Sequence, residues 1–382
     1  METVTCSAPV NIAVVKYWGK RNEELVIPTN SSLSATLGQD QLRAKTTVTT
    51  CASFKKDRLW LNGREESVDN PRIKNVLSEV RKRSKKPERT QFVHICSENN
   101  FPTAAGLASS AAGYACLVYS LAKLFDVQGD ISELARRGSG SACRSVYGGF
   151  VEWDMGQKAD GSDSLARQVV TESHWPELRV LILLVSGKQK PIGSTAGMQN
   201  TVKTSELLQH RINNVVPQRI EQMKTAILNK DFNTFAELTM KDSNQMHAVC
   251  LDTFPPIMYM TDTSRDIIHL MTAINSFYGT NKVGYTFDAG PNACLYLLEK
   301  DVPLVAAAVK HFFPPSQENG DCFVKGIQLQ SEILDESFLS SVPLQPKPGG
   351  IQYIISTKVG DGPRVLPKEE SLLGPDGLPV CI

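Results

Sequence analysis

The chain is poor in the patterns that mark a metal centre, a disulfide scaffold or a hydrolase. Its nine cysteines are scattered and odd in number, with no CxxC pair. They read as reduced thiols, not as a disulfide framework or a zinc site. The six histidines are dispersed, with neither HxH nor HExxH spacing. No GxSxG elbow and no evident Ser–His–Asp set are found. HRD is missing and FDAG is not DFG, so protein-kinase chemistry has no carrier. Neither GxxxxGK[ST] nor GxGxxG occurs, which removes the P-loop and the dinucleotide fingerprint. An excess of one charge sign is also lacking. Charged residues make up 21% and the formal net charge is +1, which gives no general pull toward nucleic acid or a membrane surface. Repeats and low-complexity segments are absent, and the first residues do not form a basic-then-apolar leader, so a cytoplasmic protein is expected.

What is present begins with length. A chain of 382 residues suits two domains better than one core. The near-continuous apolar run LRVLILLVS reads as a buried strand and a seam, dividing the chain into 1–186 and 187–382. Residues 4–60 read as short strands and turns, 71–83 and 131–137 as helices, and 92–96 as a strand. The basic run RKRSKKPER reads as a solvated helix end rather than a nucleic-acid patch. The second half is more helical, with patterns at 204–230, 232–248, 263–278 and 302–313, and with strand-like GYTF, CLYLL and 352–356.

One stretch demands explanation. In FPTAAGLASSAAGYA, Phe101 to Ala115, ten of fifteen residues are Gly, Ala or Ser, and no charge appears between Glu98 and Lys123. Three readings compete. A membrane span needs about 20 predominantly apolar residues, and this segment is too weakly hydrophobic. A packed core helix accounts for Leu107, Ala111, Tyr114, Val118 and Leu121. It does not account for Pro102, Gly106, Ser109 and Ser110 at the front. A helix start offers unpaired N–H groups and the positive end of the dipole, and small residues let a phosphate approach them.

Three further clusters could carry chemistry. In NIAVVKYWGK, Lys16 and Lys20 lie among apolar and aromatic residues, either snorkelling outward or kept to meet an anion. In SGSACR, Arg144 follows hydroxyls and small residues, either a bidentate anion clamp or a surface side chain after a turn. In YTFDAGPNA, Asp288 follows a strand and precedes Gly and Pro, either a turn former or a general base.

In this order NIAVVKYWGK, FPTAAGLASSAAG, GSGSACRSVYGGF and YTFDAGPNA resemble mevalonate diphosphate decarboxylases of the eukaryotic type, a family of the GHMP kinase superfamily. PTNSSLSATL, GSTAGM, MKDSNQMHAVCLDTFPPI and LLGPDGLP extend the match over nearly the whole chain. Gly38 stands where some relatives carry a bulkier polar residue.

The resemblance implies an α+β fold of two domains with the active site in the cleft between them. The N-terminal domain, of the ribosomal S5 domain 2-like kind, would bind ATP and contain a left-handed βαβ unit. The implied reaction is ATP-dependent decarboxylation of mevalonate 5-diphosphate with Mg²⁺ as metal, in a homodimer, with no nucleic-acid or membrane partner. The catalytic set implied is Asp288 as base, Lys16 as the cation that keeps a carboxylate ionised, and Arg144 and Asn11 on the substrate carboxylate. The substrate's diphosphate end matches Tyr17, Trp18, Gly19, Lys20, Arg72, Ser139, Gly140, Ser141, Ala142, Cys143 and Arg144, with Ser194 and Thr195 as a further contacting pair. The ATP loop matches Pro102, Ala105, Gly106, Leu107, Ala108, Ser109 and Ser110, with Ser110 also on the metal. A simple kinase of the same superfamily would release ADP without carbon dioxide. A silent binding protein would not need Lys16, Arg144 and Asp288 together.

Overall fold

The computed structural model describes residues 1–86, 92–101, 109–188, 190–316 and 323–380. Among the described residues three sheets dominate. A six-stranded sheet runs Arg364–Val365, Glu2–Pro9, Arg43–Thr50, Val93–Asn99, Arg58–Leu61 and Arg64–Glu66. A four-stranded sheet runs Ala166–Val170, Phe150–Trp153, Ser32–Thr36 and Asn11–Val15. A five-stranded sheet runs Val283–Phe287, Ala293–Leu298, Leu178–Leu184, Tyr353–Lys358 and Val324–Gly326. Pairing is mostly antiparallel, with helices between the strands, an α+β architecture in two lobes.

The apolar run is a buried strand as expected, and it lies at the middle of the five-stranded sheet, paired to Ala293–Leu298 on one side and Tyr353–Lys358 on the other. Sheet membership therefore changes before Leu178, one strand ahead of the expected seam at 186. The chain also crosses back near its end, where Arg364 and Val365 pair with Ser7 and Cys6.

The lobes share one apolar core. Phe150 of the four-stranded sheet meets Phe235 edge-on at 5.9 Å, and Phe235 meets Tyr296 of the five-stranded sheet at 5.4 Å. The Tyr296 hydroxyl then donates to the Ile12 carbonyl at 3.0 Å, tying the second sheet to the first lobe.

Local sequence explains the elements that reach the cleft. The helix Pro71–Lys82 has Pro71 in its first turn and Asn70 as cap, whose side chain accepts from the Arg72 N–H. Ile73, Val76, Leu77 and Val80 form its buried face, so Arg72 is held in a first turn that opens onto the cleft. The helix Ser109–Phe125 packs on Glu2–Pro9 and Arg43–Thr50 through a stripe of small and apolar residues. The strand Asn11–Val15 carries a bulge at Val14 against Ser32–Thr36, just before Lys16. Bulges of this kind re-aim the side chains that follow them.

Candidate active site

A cleft of about 950 Å³ lies between the lobes. Three segments reach its wall: the start of the Ser109–Phe125 helix, the start of the Ser194–Thr204 helix, and the short turn Gly140–Cys143. Lys16, Lys20, Arg72, Arg137, Arg144 and Lys190 also line it, against Glu23, Glu24 and Asp288. Helix starts and a cationic excess suit a ligand carrying several phosphates.

At the floor, Lys16 Nζ donates to Asp288 Oδ1 at 2.5 Å and to the Ala13 carbonyl at 3.0 Å. The Lys16 side chain is 3% exposed and that of Asp288 29%, so the carboxylate is the member of the pair that a ligand meets. Beside them Arg144 is buried, and burial pulls its guanidinium below the ordinary arginine value. Arg144 Nε donates to Ser34 Oγ at 2.9 Å and Asn11 Oδ1 at 3.3 Å, and Nη1 donates to Ser32 Oγ at 2.5 Å. Asn11 is itself fixed, its amide donating to Ser145 Oγ at 2.7 Å and the Ser141 carbonyl at 3.0 Å. Tyr17 packs edge-on to Trp153 at 4.8 Å, and burial pushes its hydroxyl up to about 12, so it stays protonated.

Further out, Arg72 Nη2 donates to Thr195 Oγ1 at 2.9 Å, spanning the cleft from one lobe to the other. Lys20 Nζ is engaged by Glu23 at 2.8 Å. Ser110 and Ser139 hydroxyls stand 3.3 Å apart.

Of the residues expected from sequence, Asn11, Lys16, Tyr17, Trp18, Lys20, Arg72, Ser109, Ser110, Ser139, Gly140, Ser141, Arg144, Ser194, Thr195 and Asp288 meet on the cleft wall. Gly19 lies behind it. Its φ is +104°, and a Cβ there would stand 2.8 Å from Val202, so it shapes the turn between Trp18 and Lys20. The side chains of Ala142 and Cys143 do not line the cleft, although those of Ser139, Ser141 and Arg144 around them do. Ser141 faces the cleft, Ala142 enters the main core, and Cys143 packs with Val151, Trp153 and Ala166. Pro102, Ala105, Gly106, Leu107 and Ala108 lie outside the described residues.

Sequence reasoning missed Lys190. Its ammonium donates to Ser194 Oγ at 2.7 Å and the Ala289 carbonyl at 3.0 Å, and burial lowers its pKa, with Asp288 opposing. It also missed Asp242, which is fully buried under Lys16. Burial by itself would raise the Asp242 carboxyl, but Arg211 and Arg219 outweigh it and hold it below the usual carboxylate range. Asp242 falls at helical spacing from Phe235, Thr239 and Met246, all buried, and a charge on an apolar stripe is the signal that could have found it.

The fold and cleft define a two-lobed phosphoryl-transfer enzyme of the GHMP kinase kind. Family models match residues 8–166, as a diphosphomevalonate decarboxylase-like N-terminal domain, and residues 180–366, as a mevalonate 5-diphosphate decarboxylase C-terminal domain. The diphosphomevalonate decarboxylase of Rattus norvegicus is 58% identical, with 98% of this chain and 96% of that protein covered. The solved mevalonate diphosphate decarboxylase from Trypanosoma brucei superposes with a TM-score of 0.88 at 40% identity, covering 98% of this chain and 100% of that one. MDDEF, solved in complex with MVAPP, AMPPCP and magnesium, superposes with a TM-score of 0.73 at 31% identity, covering 96% of this chain and 99% of that one. The chain belongs to the mevalonate diphosphate decarboxylase family.

Proposed function

We infer that this chain converts mevalonate 5-diphosphate and ATP into isopentenyl diphosphate, ADP, phosphate and carbon dioxide, a step of isoprenoid and sterol biosynthesis. The observation that carries the residue assignment is the partly exposed Asp288 carboxylate held on the buried Lys16 ammonium, with Arg144 alongside.

The chemistry follows from the substrate. Hydroxide leaves a tertiary carbon poorly. Asp288 takes the proton of the 3-hydroxyl as its oxygen attacks the terminal phosphorus of ATP, and ADP departs. The resulting phosphate ester then loses phosphate, the C3–O bond electrons leaving with it. The carboxylate leaves as carbon dioxide, and the C1–C2 bond electrons become the C2–C3 double bond. Lys16 holds Asp288 in place. Arg144 and Asn11 hold the carboxylate, since among the described residues Arg144 Nη2 has no protein partner and is left to donate to a ligand. Tyr17, Lys20, Arg72, Ser139, Ser141, Ser194 and Thr195 receive the diphosphate end.

The relative solved with MVAPP, the ATP analogue AMPPCP and magnesium supports ATP as co-substrate and Mg²⁺ as metal. Among the described residues no three His, Cys, Asp or Glu cluster as a metal cage. The hydroxyl of Ser110 on the cleft wall fits an ion that arrives on ATP phosphates and keeps water ligands. Mg²⁺ neutralises charge on the phosphates when bound.

Two lobes meeting near 171–177, a homodimer and a cytoplasmic location complete the proposal, the last two on resemblance to the family. Among the described residues no helix is long and apolar enough to cross a membrane. The test is incubation with ATP, Mg²⁺ and substrate labelled at the carboxyl carbon. ADP and carbon dioxide released one to one support the reading. ADP alone would identify a kinase, and neither product would overturn the function.

A further inference from the structure

Lys16 and Asp288 come from different lobes and are separated by 272 residues. Lys16 follows the strand Asn11–Val15 of one sheet, and Asp288 follows the strand Val283–Phe287 of another. No ladder joins those strands. One helix, Phe232–Asp252, packs on both. Two consecutive residues of that helix reach in opposite directions. Asp242 Oδ1 accepts the backbone N–H of Lys16 at 2.8 Å. Ser243 Oγ accepts the backbone N–H of Phe287, the residue before Asp288, at 2.9 Å.

Both side chains are buried, Asp242 at 0% and Ser243 at 1% exposure. The Asp242 carboxylate cannot swing. Arg211 grips it through both terminal nitrogens at 2.9 and 3.0 Å, and Arg219 adds a bond at 3.0 Å. Arg211 Nη2 also donates to the Lys16 carbonyl at 2.7 Å, so both sides of the Lys16 backbone are held by one ion pair. Arg211 begins a turn of wider, π-type winding at Arg211–Val215, just ahead of Pro217, and such turns recur at functional sites. Stability alone does not account for this arrangement, because apolar residues often replace a buried ion pair with no loss.

We propose that Asp242 and Ser243 are positioning residues that set the spacing of Lys16 and Asp288 across the cleft. This rests on the reading that Lys16 and Asp288 carry the proton-transfer step. Removing the Ser243 hydroxyl frees the strand end that presents Asp288, while the nucleotide and diphosphate contacts stay in place. Small misplacements of reacting groups are costly in rate.

The experiment uses the full chain and steady-state kinetics of Ser243→Ala, Ser243→Thr and Asp242→Asn, each also made in a Lys16→Met background. Ser243→Ala is expected to lower kcat about tenfold or more, on the scale of ångström misplacement. Both KM values should stay within about twofold, since neither residue lines the cleft. Ser243→Thr, which keeps the hydroxyl, should recover most of kcat. In the Lys16→Met background Ser243→Ala should add less than about twofold, because a residue acting through the pair is not additive with its loss. Asp242→Asn, with its carboxylate neutralised, should behave like Ser243→Ala if it folds, and the serine variants decide the matter if it does not. Ser243→Ala that lowers the melting temperature but leaves kcat unchanged, or whose effect multiplies fully with Lys16→Met, overturns the proposal. Lys16→Met and Asp288→Asn with near-normal turnover would instead overturn the underlying reading of the pair, whatever Ser243→Ala does.

Discussion

Arg144→Gln separates the two ends of the reaction. In the folded chain the guanidinium uses Nε on Asn11 and Ser34 and Nη1 on Ser32. Glutamine can reach part of that hydroxyl and amide set, but it has neither the charge nor the fork that holds a carboxylate. A hydrogen bond to a charged partner contributes about 1.5–3 kcal/mol. At about 1.4 kcal/mol per factor of ten, kcat/KM for mevalonate 5-diphosphate should fall about 10- to 100-fold. Desolvation around Arg144, which is 2% exposed, favours the upper end.

The assay follows ADP and labelled carbon dioxide together under saturating ATP, with calorimetric titration of a non-hydrolysable ATP analogue alongside. The analogue's Kd should move by less than about twofold, because a factor of two is only about 0.4 kcal/mol and no lost contact faces the nucleotide. An equal loss of both affinities would assign Arg144 to the nucleotide, and unchanged kcat/KM would remove it from the site. A melting scan checks that the variant is folded, since the bonds to Asn11, Ser32 and Ser34 also hold the floor together.

Other residues give sharper single readouts. Asp288→Asn should fold normally and lose about 10²- to 10⁴-fold in kcat, with ADP and carbon dioxide falling together, and near-normal turnover in it or in Asp288→Ala would exclude the carboxylate as base. Ser110→Ala should raise the KM for ATP about tenfold, and an unchanged KM would take the hydroxyl off the phosphates. Gly140→Ala would drive a Cβ to 2.7 Å from the Tyr17 hydroxyl, so the KM for mevalonate 5-diphosphate should rise and stability should fall by about 1–3 kcal/mol, measured by urea unfolding. His247 is buried, and burial together with Lys16 lowers its pKa from 6.5 to about 4. The unfolded chain then binds the extra proton first. Its contribution is full above pH 6.5 and is lost as pH falls toward 4, about 3 kcal/mol in all. His247→Gln should flatten the stability curve across that window, and an unchanged slope would refute the assignment.

Much of this was legible in the residues. Leu178–Leu184 announces a buried strand because its faces are covered, and a covered strand needs no polar alternation. The helices Pro71–Lys82, Phe232–Asp252 and Asp262–Tyr278 carry caps and apolar stripes that local sequence reveals. The helix Ser194–Thr204 was not legible as such. Gly193 gives it no side-chain cap, Gly197 lies inside it, and its buried face is only Gly197, Met198 and Thr201. It forms because that face fits Trp18 and Tyr259, the indole N–H donating to Thr201 Oγ1 at 3.0 Å. Lys190 was missed for a related reason. In KQKPIG it reads as a solvated loop lysine, and it is half-buried by Ser194, the Tyr259 ring and Ala289, which follows a strand of the five-stranded sheet. Local pattern reports what a segment does to its own backbone, and these residues are decided by partners far along the chain.

That distance bears on how the site can work. Lys16 with Asp288, Asn11 with Ser141, Arg72 with Thr195 and Arg211 with the Lys16 carbonyl are all pairs more than 100 residues apart. Of the ion pair that defines the floor, the cation is sealed and the anion is not. Were the lysine the reactive member, the arrangement would be reversed, with the ammonium open to the phosphates and the carboxylate behind it. A sealed cation instead does one thing for an open carboxylate, which is to keep it aimed while substrate binds. On the proposed reading the phosphate-binding positive charge then comes from elsewhere, from Arg72 and Lys190 on the walls and from two helix starts. The cleft thus divides its charges by depth. On the proposed reading, proton transfer belongs to the floor and polyanion capture to the rim, so a floor substitution should lower kcat and a rim substitution should raise KM.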